Sequence, residues 1–160
     1  MLGRYNKQKE EQESRAVSAA EFASALGLTP IVMNEGAELS VQTSAICRPG
    51  LFLAGYEKFF AGSRVIVFGS AEMSFAMSLD KAVLAERIDR MFSLGVPCAV
   101  VARGIKPPAE FIKAAADHAV PLFTSPEITG QVAAKISDYI TRALAEGEKP
   151  CCSESKAKDS

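Results

Sequence analysis

The chain has 160 residues, 48% of them hydrophobic and 23% charged, with 18 Lys and Arg against 19 Asp and Glu for a formal net charge of -1. Such a length and apolar content suit one self-sufficient core rather than a disordered or fibrous chain, and balanced charge supplies no basic field to gather nucleic acid. The start from Met1 to Arg15 is charged and glutamate-rich, unlike a secretory signal, and no run approaches the roughly 18 apolar residues of a membrane span, so a cytoplasmic protein without a membrane partner is expected.

The composition divides the chain into a polar extension over 1–17, a folded domain over 18–145 and a polar, disordered tail over 146–160. Ser18 is placed to cap a helix, with Glu21 completing a capping box, Phe22, Ala25 and Leu26 on the apolar face, and Gly27 at the end. Pro30 to Met33 reads as a short strand, and after the Asn34-Glu35-Gly36 turn the chain resumes from Leu39 to Ile46. Val65-Ile66-Val67-Phe68 has the continuous apolar pattern of a strand buried on both faces. Val83, Leu84, Ile88, Met91 and Phe92 then recur at helical spacing until Gly95 and Pro97.

Cys98 to Ala102 repeats the buried-strand pattern. Pro107 and Pro108 open a helix carrying Phe111, Ile112, Ala115 and Ala119, and Pro121 to Thr124 gives another strand. Ile128, Val132, Ile136, Tyr139, Ile140 and Leu144 mark a last helix. Alternation of this kind predicts an α/β layered domain, with a mostly parallel sheet flanked by helices and right-handed crossovers.

The motifs that hold nucleotide phosphate are missing: neither G-x-x-x-x-G-K-[ST] nor G-x-G-x-x-G occurs, so no nucleotide cofactor is expected. His118 is the only histidine, which excludes a multi-histidine metal centre, and its place before Pro121 reads as a helix end. Cys47, Cys98, Cys151 and Cys152 lack zinc spacing and are too few for a disulfide framework. The expectation is therefore a chain with no metal, no cofactor and no catalytic residue.

Three polar residues fall where α/β folds place ligand sites, just beyond the C-terminal ends of strands: Glu72, Arg103 and Ser125. Arg103 suits an anion and Glu72 a hydroxyl or amide donor. The plainer alternative is that they cap helices and pair with one another. The segment Arg48-Pro49-Gly50 fixes an arginine beside a rigid turn, and Leu51, Phe52 and Tyr56 after it either bury that segment or form an interaction surface with Arg48.

The run Arg48-Pro49-Gly50-Leu51-Phe52-Leu53-Ala54-Gly55-Tyr56 resembles the R-P-G-L-x-[LM]-A-G-[FY] segment in the N-terminal domain of HPr kinase/phosphorylases. In the same order, Arg64 to Glu72 is similar to that family's strand and G-x-x-E turn, and Pro97 to Pro108 to its P-x-I-I-V-T-R-G-L-x-P-P segment. Where the family often has glutamine this chain has Ile66, where it has an acidic residue Phe52, and where it commonly has Asp and Ser it has Ala45 and Cys47.

The resemblance implies a fold similar to the murein-ligase N-terminal domain. It also implies a link to a bacterial enzyme that phosphorylates and dephosphorylates a serine of the phosphocarrier HPr in carbon catabolite control. In that family the kinase chemistry lies in a separate C-terminal domain, so the implied role is a non-catalytic regulatory or oligomerisation domain. Its implied partners are a kinase domain, HPr or a second copy. The alternatives are a stand-alone module for an anionic metabolite at Glu72, Arg103 and Ser125, and an enzyme enlisting Glu72, Arg103 and His118.

Overall fold

The computed structural model describes residues 15–58 and 60–148. Most of the expected N-terminal extension and nearly all of the tail, with Cys151 and Cys152, lie outside them. The described part begins with β1 (Arg15–Ser18), α1 (Ala19–Leu26), β2 (Thr29–Val32), β3 (Glu38–Val41), β4 (Ile46–Cys47) and α2 (Gly50–Leu53). It continues with β5 (Val65–Phe68), α3 (Ser70–Ser78), α4 (Lys81–Phe92), β6 (Ala99–Val101), α5 (Ala109–His118), β7 (Leu122–Thr124) and α6 (Thr129–Glu148).

Five strands form one sheet in the order β2-β7-β6-β5-β4, in which β4, β5, β6 and β7 run parallel and β2 is an antiparallel edge. Pro30 sits on that edge, where a missing N–H costs no interior ladder bond. The alternation of side chains along each strand divides the core in two. Ile66, Phe68, Ala99, Val101 and Leu122 point to the layer of α2, α3, α4 and α5, where Met73, Ile88 and Phe111 meet them. Val65, Val67, Cys98, Val100 and Phe123 point the other way, towards Phe22 of α1 and Val132, Ile136 and Ile140 of α6. The molecule is thus a layered α/β domain with helices on both faces, as the alternating sequence predicts.

Several local readings need correction. The folded part starts before Ser18, because Arg15 to Ser18 pairs antiparallel with Glu38 to Val41 and Val17 is buried. At the other end α6 continues to Glu148, past the expected boundary at 145. The run Leu39 to Ile46 is two strands in different sheets, broken where the Thr43 hydroxyl accepts the Ala45 N–H at 3.1 Å. Ser18 caps α1 by accepting the Glu21 N–H, and Gly27 ends it at φ 67°. In α5, Ile112 is exposed, Ala114 takes the buried position, and Ala119 is the left-handed cap at φ 54°.

The crossover from β5 to β6 contains two helices, and the first, α3, has no apolar periodicity to announce it. Ser-Ala-Glu-Met-Ser-Phe-Ala-Met-Ser buries only Glu72, Met73 and Ala76. It forms because Gly69 and Glu72 cap it, and it is the element on which the candidate site is built.

Candidate functional site

Because β4 to β7 are parallel and adjacent in the sheet, the turns that leave them all emerge at one edge. Arg48 follows β4, Gly69 and Glu72 follow β5, Arg103 follows β6, and Ser125 follows β7. The residues singled out from sequence therefore share the C-terminal edge of the sheet, but they do not act alike.

Glu72 is only 7% exposed, and its carboxylate is held from two sides. Oε1 accepts the Gly69 N–H at 2.9 Å and the Arg48 Nη2–H at 2.9 Å, while Oε2 accepts the Arg48 Nε–H at 2.7 Å. This is a bidentate arginine–carboxylate pair joined to a helix cap, and it uses three of roughly four lone-pair positions on the carboxylate. Burial pushes the Glu72 carboxyl up, but the Arg48 hydrogen bonds and charge and the backbone donors outweigh it and hold the carboxyl below its usual range. The same hydrogen bond raises the Arg48 guanidinium. Glu72 does cap a helix and pair with an arginine, but the arginine is Arg48 rather than Arg103.

Gly69 is the point on which this arrangement closes. A Cβ there would stand 2.7 Å from Thr129 Oγ1, 2.8 Å from Arg48 Nη2 and 3.0 Å from Glu72 Oε1. The β4 turn, α3 and the start of α6 thus meet on one missing methyl group. The G-x-x-E spacing signalled Gly69 and Glu72, whereas nothing in the sequence signalled Thr129, which comes from a helix on the opposite face.

Ser125 is 1% exposed and serves the backbone: its N–H donates to the Val101 carbonyl, and its hydroxyl accepts the Glu127 N–H at 3.2 Å. Its carbonyl accepts the Gly104 N–H at 2.7 Å, and the Arg103 N–H donates to the Glu127 carbonyl at 2.8 Å. This lacing holds Arg103 at φ 63° and Gly104 at φ 67°. A left-handed arginine costs about 1 kcal/mol or more. Its side chain is exposed and has no ion pair with any described residue.

Of the surface residues expected beside Arg48, Leu51 is 63% exposed and Tyr56 is 47% exposed, but Phe52 is 1% exposed. Phe52 is a core residue, packed on Phe60 with ring centroids 4.6 Å apart, because α2 turns one face inward with Phe52 and Leu53. His118 ends α5 and bonds Asp89 of α4 at 2.8 Å, away from the strand-end turns. Among the described residues no cluster of three or more His, Cys, Asp or Glu side chains is placed to hold a metal, and no helix is long and apolar enough to cross a membrane.

Comparison with known proteins matches residues 17–140 to the family described as HPr Serine kinase N terminus. An HPr kinase/phosphorylase of Caldanaerobacter subterraneus is 34% identical over 129 residues, covering 81% of this chain and 42% of the relative. One of Clostridium novyi is 36% identical over 105 residues, covering 66% of this chain and 34% of the relative. The chain thus spans well under half the length of these relatives. Among solved structures, the CBS and DRTGG domains of the regulatory region of Clostridium perfringens pyrophosphatase, complexed with the activator diadenosine tetraphosphate, align with a TM-score of 0.53. At 16% identity, covering 76% of this chain and 46% of that one, the likeness is one of fold.

Proposed function

The chain belongs to the HPr serine kinase N-terminal family, and on that premise we propose that it is a non-catalytic regulatory or oligomerisation domain acting in the cytoplasm through contact with another polypeptide. The partners that fit are HPr, the kinase portion of a relative, or a second copy. The reading is carried by the segment that begins with Arg48. The buried Glu72 fixes Arg48, Phe52 and Leu53 anchor α2 in the core, and Leu51 and Tyr56 are left on the outside. Rigid, exposed apolar and aromatic side chains are what an interface needs, because little entropy is lost when they are covered.

Surface plasmon resonance against immobilised HPr, kinase portion and this chain itself tests the proposal. Leu51→Asp and Tyr56→Asp each weaken the interaction about tenfold or more, the loss expected of an anchor residue. Variants that bind as well as the parent would remove this surface from the account.

A second reading, an anionic-metabolite site at Glu72, Arg103 and Ser125, has one observation in its favour: Arg103 is held in a costly conformation with its guanidinium exposed. Within that reading Arg103 is the group that meets the anion, with Ser125 shaping its turn and Glu72 holding Arg48 at the turn after β4. Thermal shift with small phosphate esters decides it: a rise in Tm that disappears in Arg103→Ala supports the site, and no rise in the parent excludes it.

A further inference from the structure

We propose that the outer edge of β3 is a self-association site, at which a second copy of this chain adds its own β3 in antiparallel register about a twofold axis at Leu39. The ladder between β1 and β3 runs from Arg15 opposite Val41 to Ser18 opposite Glu38, and the Ala19 N–H continues it on the Ala37 carbonyl at 3.0 Å. Antiparallel pairs exchange bonds at alternate residues, so Ala37, Leu39 and Val41 turn their peptide groups towards β1. Those of Glu38 and Ser40 face the other way and bond no described residue. Both residues are exposed, whereas on the opposite edge of the ribbon Ser18 is half-buried and β1 runs straight into α1.

The edges of the five-stranded sheet are blunted against such pairing. β2 carries Pro30 and a register shift before Val32, and β4 has only two residues. β3, with the sequence Glu-Leu-Ser-Val, has neither proline nor lysine, and its register is unbroken. It belongs to a two-stranded ribbon, an arrangement that is marginal by itself, although Val17, Leu39 and Val41 bury its inner face on the core. Pairing β3 with its copy makes a four-stranded antiparallel sheet in the order β1-β3-β3-β1.

A copy of this chain is the occupant that the strand itself fits. With Leu39 on the axis, Glu38 stands opposite Ser40 of the copy and Ser40 opposite Glu38, and about four N–H···O bonds close the seam. Each carboxylate then meets a hydroxyl donor, and no like charges face each other directly. The segment before β1 is a poor rival, since Asn6 to Glu13 has no β-branched or aromatic residue. The seam is short, so the dimer is a weak one. The inference rests on the oligomerisation reading above but on different residues from Leu51 and Tyr56, so the two can fail separately.

Sedimentation velocity of the full chain in reducing buffer, from low concentration to about 1 mM, reads the dimer directly. Monomer gives way to dimer as concentration rises. Ser40→Glu sets a carboxylate against Glu38 of the copy at two symmetric points and weakens the dimer about tenfold. Glu38→Lys with Ser40→Glu returns opposite charges to each pair and restores it. Within one chain these positions face Ser18 and Ala16, so neither change sets like charges across the ribbon. In amide hydrogen exchange the Glu38 and Ser40 N–H groups gain protection with concentration, while that of Ala16 does not. A chain that stays monomeric throughout, a dimer indifferent to Ser40→Glu, or one that the charge exchange fails to restore overturns the β3 edge. A dimer lost in Leu51→Asp but kept in Ser40→Glu places self-association on the other surface and overturns this one.

Discussion

At Gly69 a single methyl group is the difference between a closed site and a broken one. Gly69→Ala places a Cβ within 3.0 Å of groups on three elements, and the nearest is the Thr129 hydroxyl. We expect a loss of about 2 kcal/mol, typical of overpacking that displaces packed and hydrogen-bonded side chains, measured by urea unfolding. Glu72→Gln removes the charge from the pair but keeps its shape, and costs about 2 kcal/mol at neutral pH, as for a hydrogen bond to a charged group. The pH dependence follows from the lowered carboxyl. Its stabilisation is complete above the ordinary value near 4.5 and is lost as pH falls through the lower native value, so the parent and Glu72→Gln converge in acid. A constant difference down to strongly acidic pH would contradict the role given to this carboxylate. At this scale the sequence was legible in part. Glu72 and Arg48 both stood out by their turns, but their pairing depends on β4 lying next to β5, which spacing along the chain does not encode.

Among the elements, β5, β6 and β7 were readable because each is buried on both faces and carries an unbroken apolar run. Helices α4, α5 and α6 were readable because one face of each is polar. α3 was not, since its nine residues bury only three side chains, one of them a glutamate satisfied by an arginine 24 residues upstream. β1 was hidden by its polar surroundings, with Val17 its one buried residue. Capping carries a separate prediction for α4. Asp80 accepts the Ala82 N–H at 3.2 Å, so Asp80→Ala should cost about 1 kcal/mol and lower Tm, while Asp80→Ser should recover most of it. Equal Tm values for parent and Asp80→Ala would show that α4 is fixed by packing alone.

Over the whole molecule, the two apolar layers leave the C-terminal edge of the sheet as the place where polar turns converge, and leave Leu51 of α2 and Tyr56 after it outside, as they do Phe75 and Met77 of α3. The layered architecture could be read from alternating strands and helices, because burial imposes period on sequence. The identity of the outward-facing residues could not. Leu51, Phe52 and Tyr56 look alike in a sequence, and only the direction of α2 separates the buried Phe52 from its exposed neighbours. The buried Phe52 and Leu53 and the Arg48–Glu72 pair anchor the segment on which the proposed interaction surface rests.

Titration calorimetry tests that account most directly, with the chain as one component and, separately, HPr, the kinase portion of a relative and Mg-ATP as the other. The account predicts heat with HPr or the kinase portion, reduced about tenfold or more in affinity by Leu51→Asp, and none with Mg-ATP. Micromolar binding of Mg-ATP, with no heat from either protein, would contradict it.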